Sequence, residues 1–227
     1  MSSYKYDLHV HTAELSPCGN VEIEKIMKMY KKADYSGVVL TDHFRNIFFE
    51  DFNSWENGID NLLSVFEKAQ QLGNKYNLDV ILGLEACFEE NNGDFLIFGV
   101  DEKFLKKYKN FIDGSLQEFS KIIDNKNILI FEAHPFRNKK DSAEPDFLDG
   151  LEVYNGNPRH DSRNSLAYVK AENNDLMMVS GSDFHQPEDL GKGGIILPQK
   201  ISNSKQLVKQ LKKGEFNLIG EELPFAV

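Results

Sequence analysis

The sequence predicts an α/β protein built on a largely parallel sheet, closed as a barrel or doubly wound, and three observations carry that expectation. Apolar runs of strand length alternate with segments of helical periodicity, the mark of repeated β/α units. Most of the strand runs are apolar at every position, which suits strands covered on both faces. His, Asp and Glu residues recur where those runs end, and that is where barrels and open α/β sheets keep their functional groups.

In chain order, strands are expected at 6–10, 37–40, 80–84, 95–100, 128–131, 150–153, 177–179 and 195–197. Between them, 21–33 carries Ile23, Ile26, Met27 and Tyr30 at helical spacing, and 59–72 carries Leu62, Leu63, Phe66 and Ala69 likewise. Further helices are expected at 102–110, 116–125, 162–173 and 202–213, the last with Ser202 as N-cap and Gly214 as stop. The segment 44–55 shows no clear element. It holds Phe44, Phe48, Phe49, Phe52 and Trp55 beside Glu50 and Asp51, so it either packs on neighbouring helices or walls a site. No Pro/Gly/Ser-rich linker interrupts the chain, and 1–227 is taken as one domain.

With 41% hydrophobic and 27% charged residues the composition is that of a globular protein. No apolar run approaches the roughly 20 residues that span a bilayer, and the N-terminus has no signal-peptide pattern, so no membrane association and a cytoplasmic location are expected. The net charge of −10 argues against duplex nucleic acid as a partner. A small phosphorylated molecule or an oligonucleotide end is compatible with it, because metal ions supply positive charge locally. Cys18 and Cys87, the two cysteines, form no Cys-x-x-Cys pair and are expected to be reduced.

The candidate ligands follow the strands. Asp7-Leu-His-Val-His places His9 and His11 two residues apart, on the same face of a strand. Asp42 and His43 follow the second run, Glu85 the third, His134 the 128–131 run, and Asp183 with His185 the 177–179 run. Five of the six histidines occupy such positions; the sixth, His160, falls at an expected helix start. Imidazoles mixed with carboxylates, without thiolates, suit Zn²⁺, Mn²⁺ or Fe²⁺. A catalytic zinc uses about three protein ligands, and the supply here exceeds that, so two or three divalent ions are expected.

These motifs closely resemble the PHP (polymerase and histidinol phosphatase) family of metal-dependent phosphoesterases over nearly the whole chain. His9-Val-His11, Thr41-Asp42-His43, Glu85 in Gly-Leu-Glu-Ala, His134-Pro and Gly181-Ser-Asp183-Phe-His185 match its motifs in order. The resemblance implies a distorted β/α barrel of about seven strands with its site at the strand C-termini. It implies that His9, His11, Glu85 and Asp183 hold one metal, with Glu85 bridging to a second that also uses His134. Asp94 falls where many members have a histidine, implying a carboxylate ligand there. A third metal in such proteins uses the histidines equivalent to His43 and His185 and one more; Leu15 stands in the place of that partner. Cys18 is an alternative ligand there but is read as a small buried thiol, and Asp42 as an acceptor that orients a ligand histidine.

Metals so held would generate a nucleophile from water, and no phosphate-binding Gly-rich loop or Gly-x-Ser-x-Gly elbow competes for that role. The four arginines, Arg45, Arg137, Arg159 and Arg163, all follow expected strand ends. A guanidinium forks onto phosphate where an ammonium does not, so this placement favours a phosphoester. Arg137 and Arg163 are the expected phosphate contacts and His160 the candidate general acid, a surface histidine at a helix start being the plainer account. Two other functions are compatible. A carbon-nitrogen hydrolase would show a bridging lysine at a ligand-bearing strand end, and none is present; a non-catalytic metal-binding regulatory module would lack turnover.

Overall fold

A computed structural model describes residues 3–50, 52–124, 127–138 and 141–220. Asp51 of the aromatic segment and Asn125, the expected end of the 116–125 helix, lie outside the described residues. The described strands are β1 (Tyr4–Val10), β2 (Gly37–Leu40), β3 (His43–Phe44), β4 (Asp79–Ala86), β5 (Phe95–Phe98), β6 (Leu129–Glu132), β7 (Gly150–Asn155), β8 (Met177–Gly181), β9 (Gly194–Leu197) and β10 (Asn217–Ile219). The helices are α1 (Ile23–Lys32), α2 (Asn46–Phe49), α3 (Trp55–Tyr76), α4 (Glu102–Lys107), α5 (Leu116–Ile123), α6 (Asn164–Asn173) and α7 (Ser204–Lys213).

Seven of the described strands run round a barrel in the order β1-β2-β4-β5-β6-β7-β8. Contacts between β1 and β8, with a parallel bridge from Val10 to Phe184, bring its ends together. The expected seven-stranded barrel is therefore the fold. Outside the ring, β9 and β10 extend β1 as an antiparallel flange, and the short β3 pairs with the end of β4.

The sheet is less parallel than the strand pattern suggests. β5 runs antiparallel to both β4 and β6, because only residues 87–94 separate it from β4. A parallel crossover needs a dozen residues or more. The reversal matters for the site: a residue just before β5 lies at the same mouth as residues at the ends of the parallel strands.

Side chains from most of the ring meet inside the barrel, among them Leu8, Val39, Ile81, Leu96, Phe98, Phe131 and Val179, with α7 adding Leu207, Val208 and Leu211. A second layer packs α1 and α3 on the outside through Ile26, Met27, Tyr30 and Ala69. β1 contributes to both. Tyr6 and Leu8 join the interior, Val10 joins the outer layer, and the register with β2 shifts between Asp7 and Val10. Such an irregularity re-aims side chains beside a functional site. Here it lets His9 and His11 face inward directly above Leu8.

Local chemistry sets the helix ends. Asn203, not Ser202, caps α7 by accepting from Gln206 N, while Ser202 donates to the Gln206 side chain. Gly214 ends that helix at φ 68°, as expected. The aromatic segment is more ordered than its sequence suggests: β3 and α2 occupy it, and α3 begins at Trp55 with Ser54 as its cap. Phe49 stacks on Trp55 at 4.4 Å, and Phe44 lies buried between them and Phe111.

Candidate metal centre

The strand ends deliver their ligands to one mouth of the barrel. His9 and His11 are fully buried, their Nε2 atoms 3.0 Å apart. Glu85, at the end of β4, lies 3.2 Å from His9 Nε2, 3.5 Å from His11 Nε2, 3.1 Å from His134 Nε2 and 2.6 Å from His43 Nδ1. Asp183 approaches His9 and His11 at 3.4 and 3.5 Å. Asp94, immediately before the reversed β5, joins Glu85 and His134.

Among the described residues, four overlapping sets of side chains bring their ligand atoms within 4.8 Å of one another: His9 with His11 and Glu85, His9 with His134 and Asp183, Glu85 with Asp94 and His134, and His11 with His43 and His185. The donor set fits divalent cations on two further grounds. Glu85 Oε2 and Asp183 Oδ2 are buried, and although His43 and Arg137 lie within ion-pair reach, neither oxygen receives a well-directed hydrogen bond. Buried polar atoms are normally satisfied, so these two are held for another partner. His134 and Asp183 also sit at positive φ, 32° and 53°, a strained conformation that concentrates at functional sites.

A layer of hydrogen bonds aims the imidazoles. His9 Nδ1 donates to Glu152 Oε1 at 2.9 Å, which turns Nε2 toward the centre. His11 Nδ1 donates to Ser16 Oγ at 3.1 Å, and Ser16 in turn donates to Asp42 Oδ1 at 2.7 Å. Asp42 also accepts from the Thr12 backbone and hydroxyl and does not line the cavity. It is a positioning residue rather than a reacting one. Glu152 additionally accepts from His134 N at 2.9 Å and from Asn155 Nδ2 at 2.9 Å. Gly181 leaves it room: a Cβ there would meet His9 Cβ at 2.4 Å and Glu152 Oε1 at 2.7 Å.

The sequence reading did not single out Glu152 or Ser16. The available signal was an acid inside the buried run of β7, a placement that costs free energy unless the acid is paired. Cys18 departs from its expected role as a buried thiol. It is exposed, and its Sγ lies 3.1 Å from both His43 Nε2 and His185 Nε2. Leu15 packs against the hydrophobic core and lines a cavity together with Cys18 and His43.

A cavity of about 370 Å³ opens above the buried pair, lined by Glu85, Asp94, His134, Asp183 and His185, with Arg137, Arg159 and His160 at its wall. Arg137 Nη2 forms an ion pair with Asp183 Oδ2 at 2.8 Å, without a well-directed hydrogen bond, and donates to Asn155 Oδ1 at 2.6 Å. Arg159 is paired with Asp189, and Arg45 lies between His43 and Asp94. Arg163 does not join them. Its side chain is exposed and does not line the cavity, while its backbone precedes α6 in the left-handed conformation. The pKa of His160, the expected general acid, is lowered by burial and by Arg137, and the side chain lies at the cavity wall. A second cavity, about 660 Å³, shares Cys18 and His43 with this region and is walled by Leu15, Ile47, Phe48 and Phe52. The aromatic segment thus fills the core with one face and walls a cavity with the other.

Electrostatics decide where protons sit. Burial opposes a charge on His9, but Glu152, Asp183 and Glu85 outweigh it and hold its pKa well above the ordinary value. His43 is raised to about 10, burial again being overcome by Glu85. His11 is pushed down to about 3 by burial and by its histidine neighbours. Glu85 and Asp183 stay ionised, since His9 and the other cationic neighbours overcome the effect of burial.

A barrel with imidazoles and carboxylates gathered at this mouth is the architecture of a metal-dependent hydrolase. Within that class the PHP domain family model matches residues 7–215, and the chain belongs to that family. A two-domain protein from Bacteroides vulgatus ATCC 8482, described as containing a predicted PHP-like metal-dependent phosphoesterase, aligns with a TM-score of 0.71 at 17% identity, over 98% of this chain. The chain spans 66% of that protein. PsfC from Pseudomonas syringae PB-5123 aligns with a TM-score of 0.72 at 15% identity, over 97% of this chain and 93% of its own. An amidohydrolase from Chromobacterium violaceum, with sulfate bound and no metal, aligns with a TM-score of 0.55 at 14% identity, over 95% of this chain and 98% of its own. At these identities the likeness is one of fold. No curated protein matches the sequence.

Glu152→Gln would set an amide NH₂ against donors that now meet a carboxylate oxygen, either His9 Nδ1 or the His134 N–H with the Asn155 amide. We expect metal affinity, measured by competition with a chromophoric chelator, to fall about 10- to 100-fold; an unchanged affinity would show that Glu152 does not orient the centre. The titrating groups yield a second expectation. His9 and His43, raised above 6.5, stabilise the metal-free fold below that pH and lose the contribution as pH rises through their folded values, about 10 for His43. Glu85 and Asp183, lowered below 4.5 and 3.8, stabilise it above those values and lose the contribution as pH falls. Asp7 and Asp42, raised to about 6 by burial, favour the acid side of that window, and His11, lowered to about 3, opposes them in part by favouring its upper side. The metal-free protein should therefore melt highest between about pH 4.5 and 6.5. Added Zn²⁺ should raise the melting temperature more as pH increases above that window, because the cation displaces protons from His9 and His43. A zinc-induced shift that shrinks with rising pH would contradict this account.

Proposed function

We propose that this chain is a metal-dependent phosphoesterase that hydrolyses a small phosphorylated metabolite or a nucleotide or oligonucleotide phosphoester. The observation that carries the reading is the convergence of His9 Nε2, His11 Nε2, Glu85 and Asp183 beneath a cavity walled by guanidinium groups. His9, His11, Glu85 and Asp183 would hold one divalent ion, and Glu85, Asp94 and His134 a second, the metals being Zn²⁺, Mn²⁺ or Fe²⁺. Bound there, such ions supply Lewis acidity that makes water nucleophilic near neutral pH and offsets charge on a phosphoryl group.

The protein's own groups do the rest. Glu152 and the Ser16–Asp42 pair keep the Nε2 atoms of His9 and His11 turned inward, so little reorganisation is needed when the centre fills. Arg137 fixes the Asp183 carboxylate and lends positive charge to the cavity wall, which suits an anionic substrate. His160, at the cavity rim, would serve as general acid for the leaving group. The adjoining cavity with Leu15, Phe48 and Phe52 suits an apolar or aromatic leaving group.

A carbon-nitrogen hydrolase is the second reading, favoured by the amidohydrolase among the fold neighbours. Among the described residues no lysine lines the metal cavity, so the bridging lysine expected of that chemistry has no candidate there.

The deciding experiment is a turnover screen over phosphomonoesters, phosphodiesters, short oligonucleotides and amides, with and without chelator. Chelation and Asp183→Ala should each abolish phosphate release, and readdition of metal should restore only the chelated enzyme. Arg137→Lys should keep the metal and lower kcat/KM about 10- to 100-fold, as expected for a lost charge-assisted contact of roughly 1.5 to 3 kcal/mol. Arg163→Lys should leave the rate within about twofold, as is usual for a surface substitution. Amide turnover without phosphate release would replace this reading with the second, and metal-loaded protein that turns over nothing would leave a binding module.

A further inference from the structure

The loop 12–20 folds back over the metal mouth under several restraints. Ser16 N donates to Thr12 O at 3.0 Å, Gly19 N to Ser16 O at 2.9 Å, and Asn20 N to His185 O at 2.8 Å. Gly19 lets the turn close, since a Cβ there would lie 2.4 Å from Thr12 O. Cys18 is therefore held in place at the rim.

Both neighbouring imidazoles are turned toward it by their other nitrogens. His43 Nδ1 faces Glu85 Oε2 at 2.6 Å, and Arg45 Nη2 lies 2.7 Å from the same nitrogen. A proton on Nδ1 satisfies the carboxylate and not the guanidinium, and the opposite charge makes the carboxylate the stronger partner. His185 Nδ1 faces Asp183 O at 2.9 Å. The remaining donor atoms, His43 Nε2 and His185 Nε2, each lie 3.1 Å from Cys18 Sγ. In a tetrahedral zinc site, bond lengths of about 2.3 Å to sulfur and 2.0–2.1 Å to nitrogen place S and N about 3.6 Å apart. Each S···N separation, now 3.1 Å, would open by about 0.5 Å to admit the ion.

We propose that Cys18 is a thiolate ligand that, with His43 and His185, holds a further cation at the rim of the centre, taking the place that Leu15 leaves without a donor. One sulfur with two imidazole nitrogens is a soft set, which selects Zn²⁺ over Mn²⁺. On binding, the Cys18 S–H bond breaks, its proton passes to solvent, the electron pair goes to the metal, and no oxidation state changes. The inference rests on the reading that this mouth binds divalent ions, and it adds a ligand and a metal preference specific to this chain.

The test is titration of the metal-free full chain with Co²⁺, followed by absorption, together with metal stoichiometry. Co²⁺-loaded protein should show a sulfur-to-cobalt charge-transfer band in the near ultraviolet. Cys18→Ser should lose the band and one equivalent of metal while the inner sites still fill; Cys18→His should regain the equivalent without the band. Labelling by a thiol reagent should slow at Cys18 when Zn²⁺ is added, much less so with Mn²⁺, while the half-buried Cys87 serves as the internal control. If the protein binds cobalt with no such band, and Cys18→Ser has the parental stoichiometry, the thiolate assignment falls while the inner centre stands. If it binds no metal, both readings fall.

Discussion

Glu85 stands at the end of β4 with 1% of its surface exposed and four imidazoles around it. Removing a carboxylate from water costs several kcal/mol unless nearby charge and hydrogen bonds offset it. The offset here comes from His9, His43 and His134, which the barrel brings in from three other parts of the chain. Without its carboxylate, these closely packed rings would repel as they protonate; without them, the acid would be buried and unpaired. Each side of the cluster makes the other tolerable, and a divalent cation is the species that satisfies both at once.

Two departures from regular strand geometry build that arrangement. The register shift in β1 moves His9 and His11 to the interior immediately after Leu8, so the hydrophobic plug and the polar floor are adjacent along one strand. The reversed β5 brings Asp94 to the ligand-bearing mouth from the start of its strand rather than the end. A strictly parallel ring would have left that position at the opposite face. Irregularities of this kind survive where surrounding contacts over-determine them, and the left-handed backbones of His134 and Asp183 are further instances.

Around the centre, the charged residues divide into those that hold the machinery and those that face the cavity. Asp42 and Glu152 act through Ser16, His9 and the His134 backbone. Arg137 belongs to both groups, because the side chain that fixes Asp183 also walls the cavity. Arg159 is tied up by Asp189, whose carboxylate also accepts from the backbone of His185 and Gln186. That pair steadies the loop carrying His185.

Much of this was legible in the residues. The alternation of apolar runs and amphipathic helices marked the α/β class, and the placement of His9, His11, His43, Glu85, His134, Asp183 and His185 at strand ends marked the mouth, because both signals are local and periodic. Orientation and partnership are not local. Whether β5 turns back depends on a loop too short for a crossover helix, and whether Arg163 reaches the cavity depends on a backbone conformation before α6. Asp42 could be read from its motif as an acceptor that orients a histidine, but Glu152 looks alike in sequence to residues that touch substrate, and only its buried hydrogen bonds to His9 and the His134 backbone set it apart. Cys18 and Leu15 lie three residues apart on one loop, and the fold alone decided which of them meets His43 and His185, because a loop's path is set by what it must bond to rather than by its own pattern.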